Sequence, residues 1–286
     1  MHRFIVVFVC VLLVLSVLPS QFVPNVKACP DSETFFADSF TFSGMKLISK
    51  VKRLYKEKGV CYLIRRGTRK VTNPIKNFFS YYYYRMFKAS RTFIFQGERY
   101  HYFYHKYGKT WRSERSIEIP IAWDIVKKHK DKSILEVGNV LSHYFSVNHV
   151  IIDKYEVANG VINQDVVEYK TTQKYDLIIS ISTLEHVGWN EIPREPVRVL
   201  KAFENLKHCL AHKGMIVVTI PLGYNPVLDE LLKKGKIKFA EQHYFKRISY
   251  DDWMEVNQKT IQNAKYGVPF PHANALLIGV IRKMGI

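Results

Sequence analysis

Cysteine is scarce in this sequence and follows no metal-binding or disulfide spacing. The 286 residues include only four cysteines, which are scattered and form no C-x-x-C pair: Cys10, Cys29, Cys61 and Cys209. This pattern excludes a disulfide framework and a cysteine-rich metal site, and it favours a reducing compartment. The sequence also has no internal repeat and no low-complexity tail, which excludes a repeat architecture.

Acidic residues are nearly absent between positions 46 and 76. Glu57 is the only one there, and the other charged residues are basic: Lys46, Lys50, Lys52, Arg53, Lys56, Lys58, Arg65, Arg66, Arg69, Lys70 and Lys76. The formal net charge of +18 is therefore concentrated in this segment. Such a concentration indicates an anionic partner such as phospholipid or nucleic acid. A solvated basic helix face is the alternative.

The amino terminus has one apolar run, from Phe4 to Leu18, behind Arg3. It is shorter than the roughly 20 residues that a membrane-spanning helix needs. Three interpretations remain open: a signal peptide cleaved after Ala28, an uncleaved anchor over residues 4–23, or a true start at Met45. We favour the anchor or the later start over secretion, with the protein on the cytoplasmic side. Residues 1–28 form this signal- or anchor-like segment, and residues 29–44 form a linker.

Residues 45–117 are predicted to form a basic, aromatic-rich helical extension and a lid. Apolar residues recur at helical spacing from Met45 to Arg66, with basic residues on the opposite side. Such a helix lies on a membrane surface or packs against a domain. A dense aromatic stretch follows between Asn77 and Phe95, for which a packed helix seam is the commoner explanation.

The rest of the chain, residues 118–286, has the pattern of a parallel α/β domain. Three apolar runs, each followed by polar residues, are separated by segments long enough for helices: Ser133–Val137, His149–Ile152 and Tyr175–Ser182. In open sheets of this kind, ligands bind outside the carboxyl ends of the strands. Those ends carry Glu136, Gly138, Asp153, Glu185 and His186, so the sequence predicts a site for a nucleotide-sized ligand.

The spacing of these residues resembles that of class I S-adenosylmethionine-dependent methyltransferases. In that family the first strand ends in E/D-x-G-x-G-x-G, an acidic residue follows the second strand, and a further acidic residue precedes the fourth strand. The fourth strand often leads into L-E-H-V. The matching positions here are Glu136, Gly138, Asp153, Asp165 and Leu184–Val187. Ser182–Trp189 and Pro221–Pro226 are also similar to segments of uncharacterised methyltransferases from microbial surface-polysaccharide clusters.

The resemblance implies a fold and a cofactor. The fold is a Rossmann-like, mostly parallel seven-stranded sheet with helices on both faces and an antiparallel closing hairpin. The cofactor is S-adenosyl-L-methionine, with the carboxylate of Asp153 accepting from both ribose hydroxyls. The full set of predicted cofactor contacts is Glu136, Gly138, Asn139, Asp153, Lys154, Asp165, Ser182, Leu184 and Glu185.

The glycine loop departs from the family pattern. Val140 and Ser142 replace the second and third glycines. A side chain at position 140 crowds the place of the methionine moiety, so a sheet that has lost its cofactor is an alternative. It would serve as a non-catalytic, membrane-tethered interaction module.

The predicted chemistry is methyl transfer assisted by a base. His186 lies at the carboxyl end of the fourth strand, where a general base is expected. Glu185 and His186 can instead support the cofactor and the start of a helix. Ser182 stands where relatives with E-x-x-E-H have a first metal-binding glutamate, so no metal is predicted. The predicted substrate contacts are His105, Arg115, His143 and Tyr224.

The acceptor class is narrowed by missing motifs. No N/D-P-P-Y/F follows the fourth strand, where the chain has Ser180–Thr183, and no Pro-Cys occurs there. Their absence disfavours nucleic acid as the acceptor despite the charge. The predicted acceptor is a glycan or a small molecule, methylated on oxygen, with a membrane surface as a further partner of the basic segment. An RNA methyltransferase remains the other enzymatic alternative.

Overall fold

The computed structural model describes Arg53 and residues 72–283. The chain divides into two compact units, Met1–Phe79 and Ser80–Ile286. The predicted anchor at residues 4–23, the linker at 29–44 and most of the basic segment lie outside the described residues. Among the residues that are described, no helix is both long and apolar enough to cross a bilayer. Helix α1 covers residues 72–87.

A β-hairpin follows α1, in a region that the sequence analysis predicted to be helical. Strand β1 (Thr92–Phe95) pairs antiparallel with β2 (Glu98–His101). The two turn residues, Gln96 and Gly97, have φ values of 52° and 78°. Two consecutive positive φ values give the twist that a tight hairpin needs. The aromatic and β-branched residues of β1 suit a strand better than a helix.

Helix α2 (Arg115–Lys128) precedes the large sheet and contains Pro120. A proline in a helix interior leaves the carbonyl four residues earlier without its usual donor. That carbonyl belongs to Ser116, and it accepts a hydrogen bond from the amide of Phe103 at 2.9 Å. The proline therefore creates an attachment point for the chain that continues from β2.

The large sheet has the predicted Rossmann-like fold class. Its spatial order is β5-β4-β3-β6-β7-β10-β8-β9. The first five of these strands are parallel, and β10 is antiparallel to both of its neighbours, which is the closing arrangement that the resemblance implies. The strands are β3 (Ile134–Val137), β4 (Val150–Asp153), β5 (Val161–Asn163), β6 (Tyr175–Ile181), β7 (Leu210–Pro221), β8 (Glu241–Ser249), β9 (Asp252–Val256) and β10 (Ala275–Arg282). The sheet has eight strands rather than seven because β9 folds back on β8.

Helices cover both faces of the sheet. Helix α2 packs with alternate strand residues such as Leu177 and Ile179 on one face. Helices α3 (Arg198–Cys209) and α4 (Pro226–Lys233) pack with the intervening residues, such as Ile178, on the other. The connections from β3 to β4 and from β5 to β6 contain no α-helix, although their lengths suggested one.

Asp229, in the first turn of helix α4, makes the stability of the fold depend on pH. Asn225 caps the helix, since its Oδ1 accepts from the amides of Val227 and Leu228, each at 3.1 Å. In the first turn, Asp229 Oδ2 accepts from the Gly223 amide at 2.9 Å, while Oδ1 is buried and has no hydrogen-bond partner among the described residues. Burial raises the pKa of Asp229 from 3.8 to about 6.

We expect Asp229→Asn to raise stability at neutral pH and not at acidic pH. Because the folded state holds the Asp229 proton more tightly, the stabilisation is complete below about pH 4 and is lost as the pH rises through about 6. Asparagine imitates the protonated form, so the expected gain at pH 7 is about 1 kcal/mol after allowing for solvent screening. Urea unfolding of the native protein and of Asp229→Asn, between about pH 4 and pH 7, measures this gain in stability. A difference between the two that is independent of pH would contradict the assignment.

Candidate active site at the carboxyl edge of the sheet

Gly138 forms the turn that ends β3. Its φ is +87°, and its amide donates to the Ile152 carbonyl at 2.8 Å, which ties the turn to β4. A Cβ at this position would lie 2.2 Å from Oγ1 and 2.7 Å from Cγ2 of Thr183, at the end of β6. Glycine is therefore needed both for the backbone conformation and for the close approach of Thr183.

Glu136 holds the loop that follows this turn. Its side chain is fully buried, and Oε1 accepts from the amides of Val140 at 2.9 Å and Leu141 at 2.8 Å. Oε2 lies 2.6 Å from Nε2 of His149. The loop then makes a single 3-10 turn, Leu141–His143, instead of an α-helix. Glu136 was predicted to contact the cofactor, and in the structure both of its oxygens contact the chain itself.

Asp153 links the ends of β3 and β4. Its Oδ1 accepts from the amides of Tyr155 and Glu156, each at 2.8 Å, and its Oδ2 accepts from the Asn139 amide at 3.1 Å. The residue is half-buried. Since a carboxylate has about four acceptor positions, about one remains for a ligand.

An aromatic cluster lies beside this loop and includes two of the predicted substrate contacts. The rings of His143 and Tyr107 stack with their centroids 4.1 Å apart, and those of His105 and Tyr144 are 5.2 Å apart. Glu156 joins the cluster to the loop, because its carboxylate lies 3.2 Å from His143 Nε2 and accepts from Asn139 Nδ2 at 2.8 Å. His105, His143 and Asn139 are thus in one neighbourhood.

Asp165 and Lys154 belong to an ion-pair cluster that the sequence analysis did not foresee. Lys154 Nζ lies 2.9 Å from Asp165 Oδ2 and 2.9 Å from Glu191 Oε1, and Arg198 Nη2 lies 3.0 Å from Asp165 Oδ2. Burial opposes the charge on Lys154, but the hydrogen bonds that its ammonium donates to Glu191 and Asp165 raise its pKa. The predicted contact of Asp165 with adenine stays a prediction, and its observed partners are two cations of the chain.

A buried polar cluster lies under the end of β6. Glu118, from α2, is fully buried, and its Oε1 accepts from the hydroxyls of Ser182 and, at 2.6 Å, Thr219. Arg115 Nη1 donates to the Ile181 carbonyl at 3.0 Å and lies 3.4 Å from Glu118 Oε2. Burial raises the pKa of Glu118 against the opposing effect of Arg115. The sequence analysis named Arg115 and Ser182 but missed Glu118.

The L-E-H turn follows directly after this cluster. Leu184 is buried in the core on the α3 face. Glu185 is 1% exposed, and its Oε2 has no hydrogen-bond partner among the described residues. Burial raises the pKa of Glu185 well above its ordinary value, so the carboxyl favours the protonated form. Asn225 Nδ2 donates to the Glu185 carbonyl at 2.9 Å, which fixes the turn.

His186 points away from the core and contacts Tyr224. Both are predicted site residues. Its side chain is 42% exposed, and its ring centroid is 4.8 Å from that of Tyr224. Asn190 Nδ2 lies 2.8 Å from His186 Nδ1 and 2.9 Å from the Tyr224 hydroxyl. His186 Nε2 lies 3.6 Å from Glu185 Oε1. Burial and the charge of Arg115 lower the pKa of His186, so the imidazole is neutral at pH 7.

Carboxyl groups outnumber cations in the buried part of the site. Glu114, Glu118 and Glu185 are all less than a tenth exposed, and all three favour the charged form of Arg115. Glu114 also favours the charged form of the buried Arg247. Burial alone would lower the pKa of Arg115, but Glu118 and Glu114 raise it. In the described part of the chain, no group of three or more histidine, cysteine or acidic residues is placed to hold a metal ion.

Comparisons with known proteins give weak similarities only. No protein-family model matches the chain, and no curated protein matches it significantly. Among solved structures, the N-methyltransferase NodS from Bradyrhizobium japonicum, in complex with S-adenosyl-L-homocysteine, shares 12% identity over 59% of this chain and 91% of its own, with a TM-score of 0.37. The 1,6-didemethyltoxoflavin-N1-methyltransferase from Burkholderia thailandensis shares 12% over 59% and 79%, with a TM-score of 0.37.

A third structure is the sugar N-methyltransferase KedS8 from Streptoalloteichus, which shares 10% identity over 58% of this chain and 88% of its own, with a TM-score of 0.31. Similarities of this strength do not define the family of the chain. The fold is defined instead by the strand order and directions described above.

Proposed function

We propose that the protein transfers a methyl group from S-adenosyl-L-methionine to a hydroxyl of a glycan or small molecule. The observation that carries the proposal is the convergence of acidic and basic groups at one sheet edge. Asp153 comes from the end of β4, and Glu185 and His186 come from the end of β6, next to the glycine turn of β3. This edge is where open α/β sheets bind nucleotide-like ligands.

The side chains present fit this cofactor. S-adenosyl-L-methionine carries a vicinal diol and two positive charges, on its sulfonium and its ammonium. Asp153 has about one acceptor position left, which suits one hydroxyl of the diol rather than both as predicted. The buried Glu185 Oε2, unpartnered among the described residues, is available to a cation. The loop amides of Val140 and Leu141 are already bonded to Glu136, so side chains would hold the cofactor. When bound, the cofactor supplies an electrophilic methyl group.

His186 is the proposed base for the acceptor hydroxyl. Because the Asn190 amide group faces Nδ1, the proton of the neutral ring is on Nε2 and the lone pair is on Nδ1. A hydroxyl that replaces Asn190 at Nδ1 would give its proton to the ring. Glu185 Oε1 lies 3.6 Å from Nε2, and the positive charge of the resulting imidazolium would favour ionisation of this carboxyl. Proton transfer to a placed histidine typically accelerates a reaction about 10²–10⁴-fold.

The acceptor is proposed to lie between His186 and the aromatic cluster of Tyr107, His143 and Tyr144. Arg115 would contact the acceptor from the end of β6, where its Nη1 donates to the Ile181 carbonyl at 3.0 Å. His105, His143, Arg115 and Tyr224 would contact the acceptor. The membrane contact and the cytoplasmic-side location are proposals that rest on the sequence of the amino-terminal region.

Calorimetric titration of S-adenosylhomocysteine into the full-length protein tests the proposal. We expect micromolar binding by the native chain and binding at least about tenfold weaker by Asp153→Asn, because the diol loses a charged acceptor. The matched control is Asp176→Asn. Asp176 is the second residue of β6, at the opposite edge of the sheet, where its Oδ2 accepts from the Ser133 amide at 3.0 Å. This control should bind like the native chain.

The outcomes separate the alternatives. Absence of binding by the folded native chain would leave the non-catalytic module as the better account. Equal binding by Asp153→Asn and Asp176→Asn would contradict the placement of the ribose. RNA binding that falls steeply as salt is added would favour the RNA methyltransferase instead.

A further inference from the structure

A cavity of about 430 Å³ lies outside the site at the sheet edge. One side is a row of α2 residues at helical spacing, Pro120, Trp123, Asp124 and Lys127, and the other is β2 with the residues that follow it. Its volume falls in the range of roughly 300–1,000 Å³ that is typical of ligand pockets. We call this cavity the α2–β2 groove.

Flat aromatic rings form one part of the α2–β2 groove. The rings of Trp123 and Phe145 are parallel to within 8°, with centroids 4.1 Å apart, and Phe103 lies 5.6 Å from Phe145. All three side chains are half-buried, so part of their surface faces the groove. Because Trp123 and Phe145 cover one face of each other, a ligand would contact the outer faces and edges of these rigid rings, with little loss of conformational entropy.

Fixed polar groups line the rest of the groove. The Tyr100 hydroxyl lies 3.0 Å from Asp124 Oδ2 and 3.2 Å from Glu98 Oε2, and Lys128 Nζ lies 2.8 Å from Asp124 Oδ2. Burial opposes ionisation of Asp124, but hydrogen bonds from Lys128 and Tyr100 lower its pKa. The groove therefore offers both acceptors and donors, and Lys127 and Arg99 add further donors.

We propose that the α2–β2 groove binds a pyranose ring of a glycan. A pyranose has an apolar C–H face, which matches the aromatic rings, and a rim of hydroxyls that both donate and accept, which matches the mixed polar lining. The inference rests on this groove alone and does not depend on methyl transfer at the sheet edge.

Fluorine NMR of the full-length protein labelled with 5-fluorotryptophan tests the inference, with lactose, maltose and N,N′-diacetylchitobiose as probes. The chain has four tryptophans, and Trp123→Phe identifies the signal of Trp123. We expect at least one sugar to shift that signal saturably. Calorimetry of the same sugar should show binding about tenfold weaker in Asp124→Asn, which loses a charged acceptor. Asp131→Asn, an exposed aspartate just after α2, is the matched control and should bind normally.

Two results would overturn the inference. One is the absence of a saturable shift of the Trp123 signal with all three sugars in a folded protein. The other is equal affinity of Asp124→Asn and Asp131→Asn for the sugar that binds. If Trp123→Phe does not fold, the calorimetric comparison of Asp124→Asn with Asp131→Asn tests the inference by itself.

Discussion

Gly138→Ala is expected to lower the free energy of unfolding by about 3 kcal/mol, the sum of a backbone and a packing cost. Alanine in a left-handed conformation costs about 1–2 kcal/mol, and overpacking against a fixed neighbour costs about 1–3 kcal/mol. Both apply here, since φ is +87° and the added Cβ would lie 2.2 Å from Thr183 Oγ1. Urea unfolding followed by circular dichroism measures the change.

Gly160→Ala is the matched control for the backbone cost. Gly160 has a similar φ of +79°, but no atom of its described surroundings lies within 4 Å of the position that an added methyl group would take. We expect a loss of only about 1–2 kcal/mol there. Combining Gly138→Ala with Thr183→Gly should recover the packing part, which a double-mutant cycle isolates. Equal losses for the two alanine variants would contradict the close approach of Thr183.

Glu136→Ala is expected to have an effect of similar size, about 3–5 kcal/mol. The substitution leaves the amides of Val140 and Leu141 without their acceptor, and His149 loses its carboxylate partner. A buried polar group that loses its partner costs about 1–3 kcal/mol, and the three losses are not fully additive. We expect the loop of residues 138–143 to exchange its amide hydrogens faster, which hydrogen-exchange mass spectrometry measures.

Glu136→Gln distinguishes the two roles that this residue can have. The glutamine carbonyl still accepts from both loop amides, so we expect a loss of only about 1–2 kcal/mol, from the His149 contact. If Glu136 acts only by holding the loop, this variant binds S-adenosylhomocysteine like the native chain. Strongly weakened binding with nearly native stability would show instead that Glu136 contacts the cofactor directly.

The central strands could be predicted from the sequence because burial on both faces leaves a continuous apolar run. Ile134–Val137, Val150–Asp153 and Tyr175–Ile181 agree with the predicted strands within a residue or two. The β1–β2 hairpin was missed, although Gln96-Gly97 between aromatic residues is a local turn signal. The missing helix after β3 could not be predicted, because segment length alone suggested one.

The residues that end the strands could be identified from the sequence, and Asp153, Glu185 and His186 were therefore expected at one edge, because parallel strands all end on the same side. What those residues contact depends instead on how distant parts of the chain pack together. Glu118 meets Ser182 and Thr219 across 64 and 101 positions of chain, and Arg198 meets Asp165 from a separate helix. Contacts between residues so far apart leave no local pattern. They arise when helices α2 and α3 pack on opposite faces of the sheet and bring their polar residues to its edge.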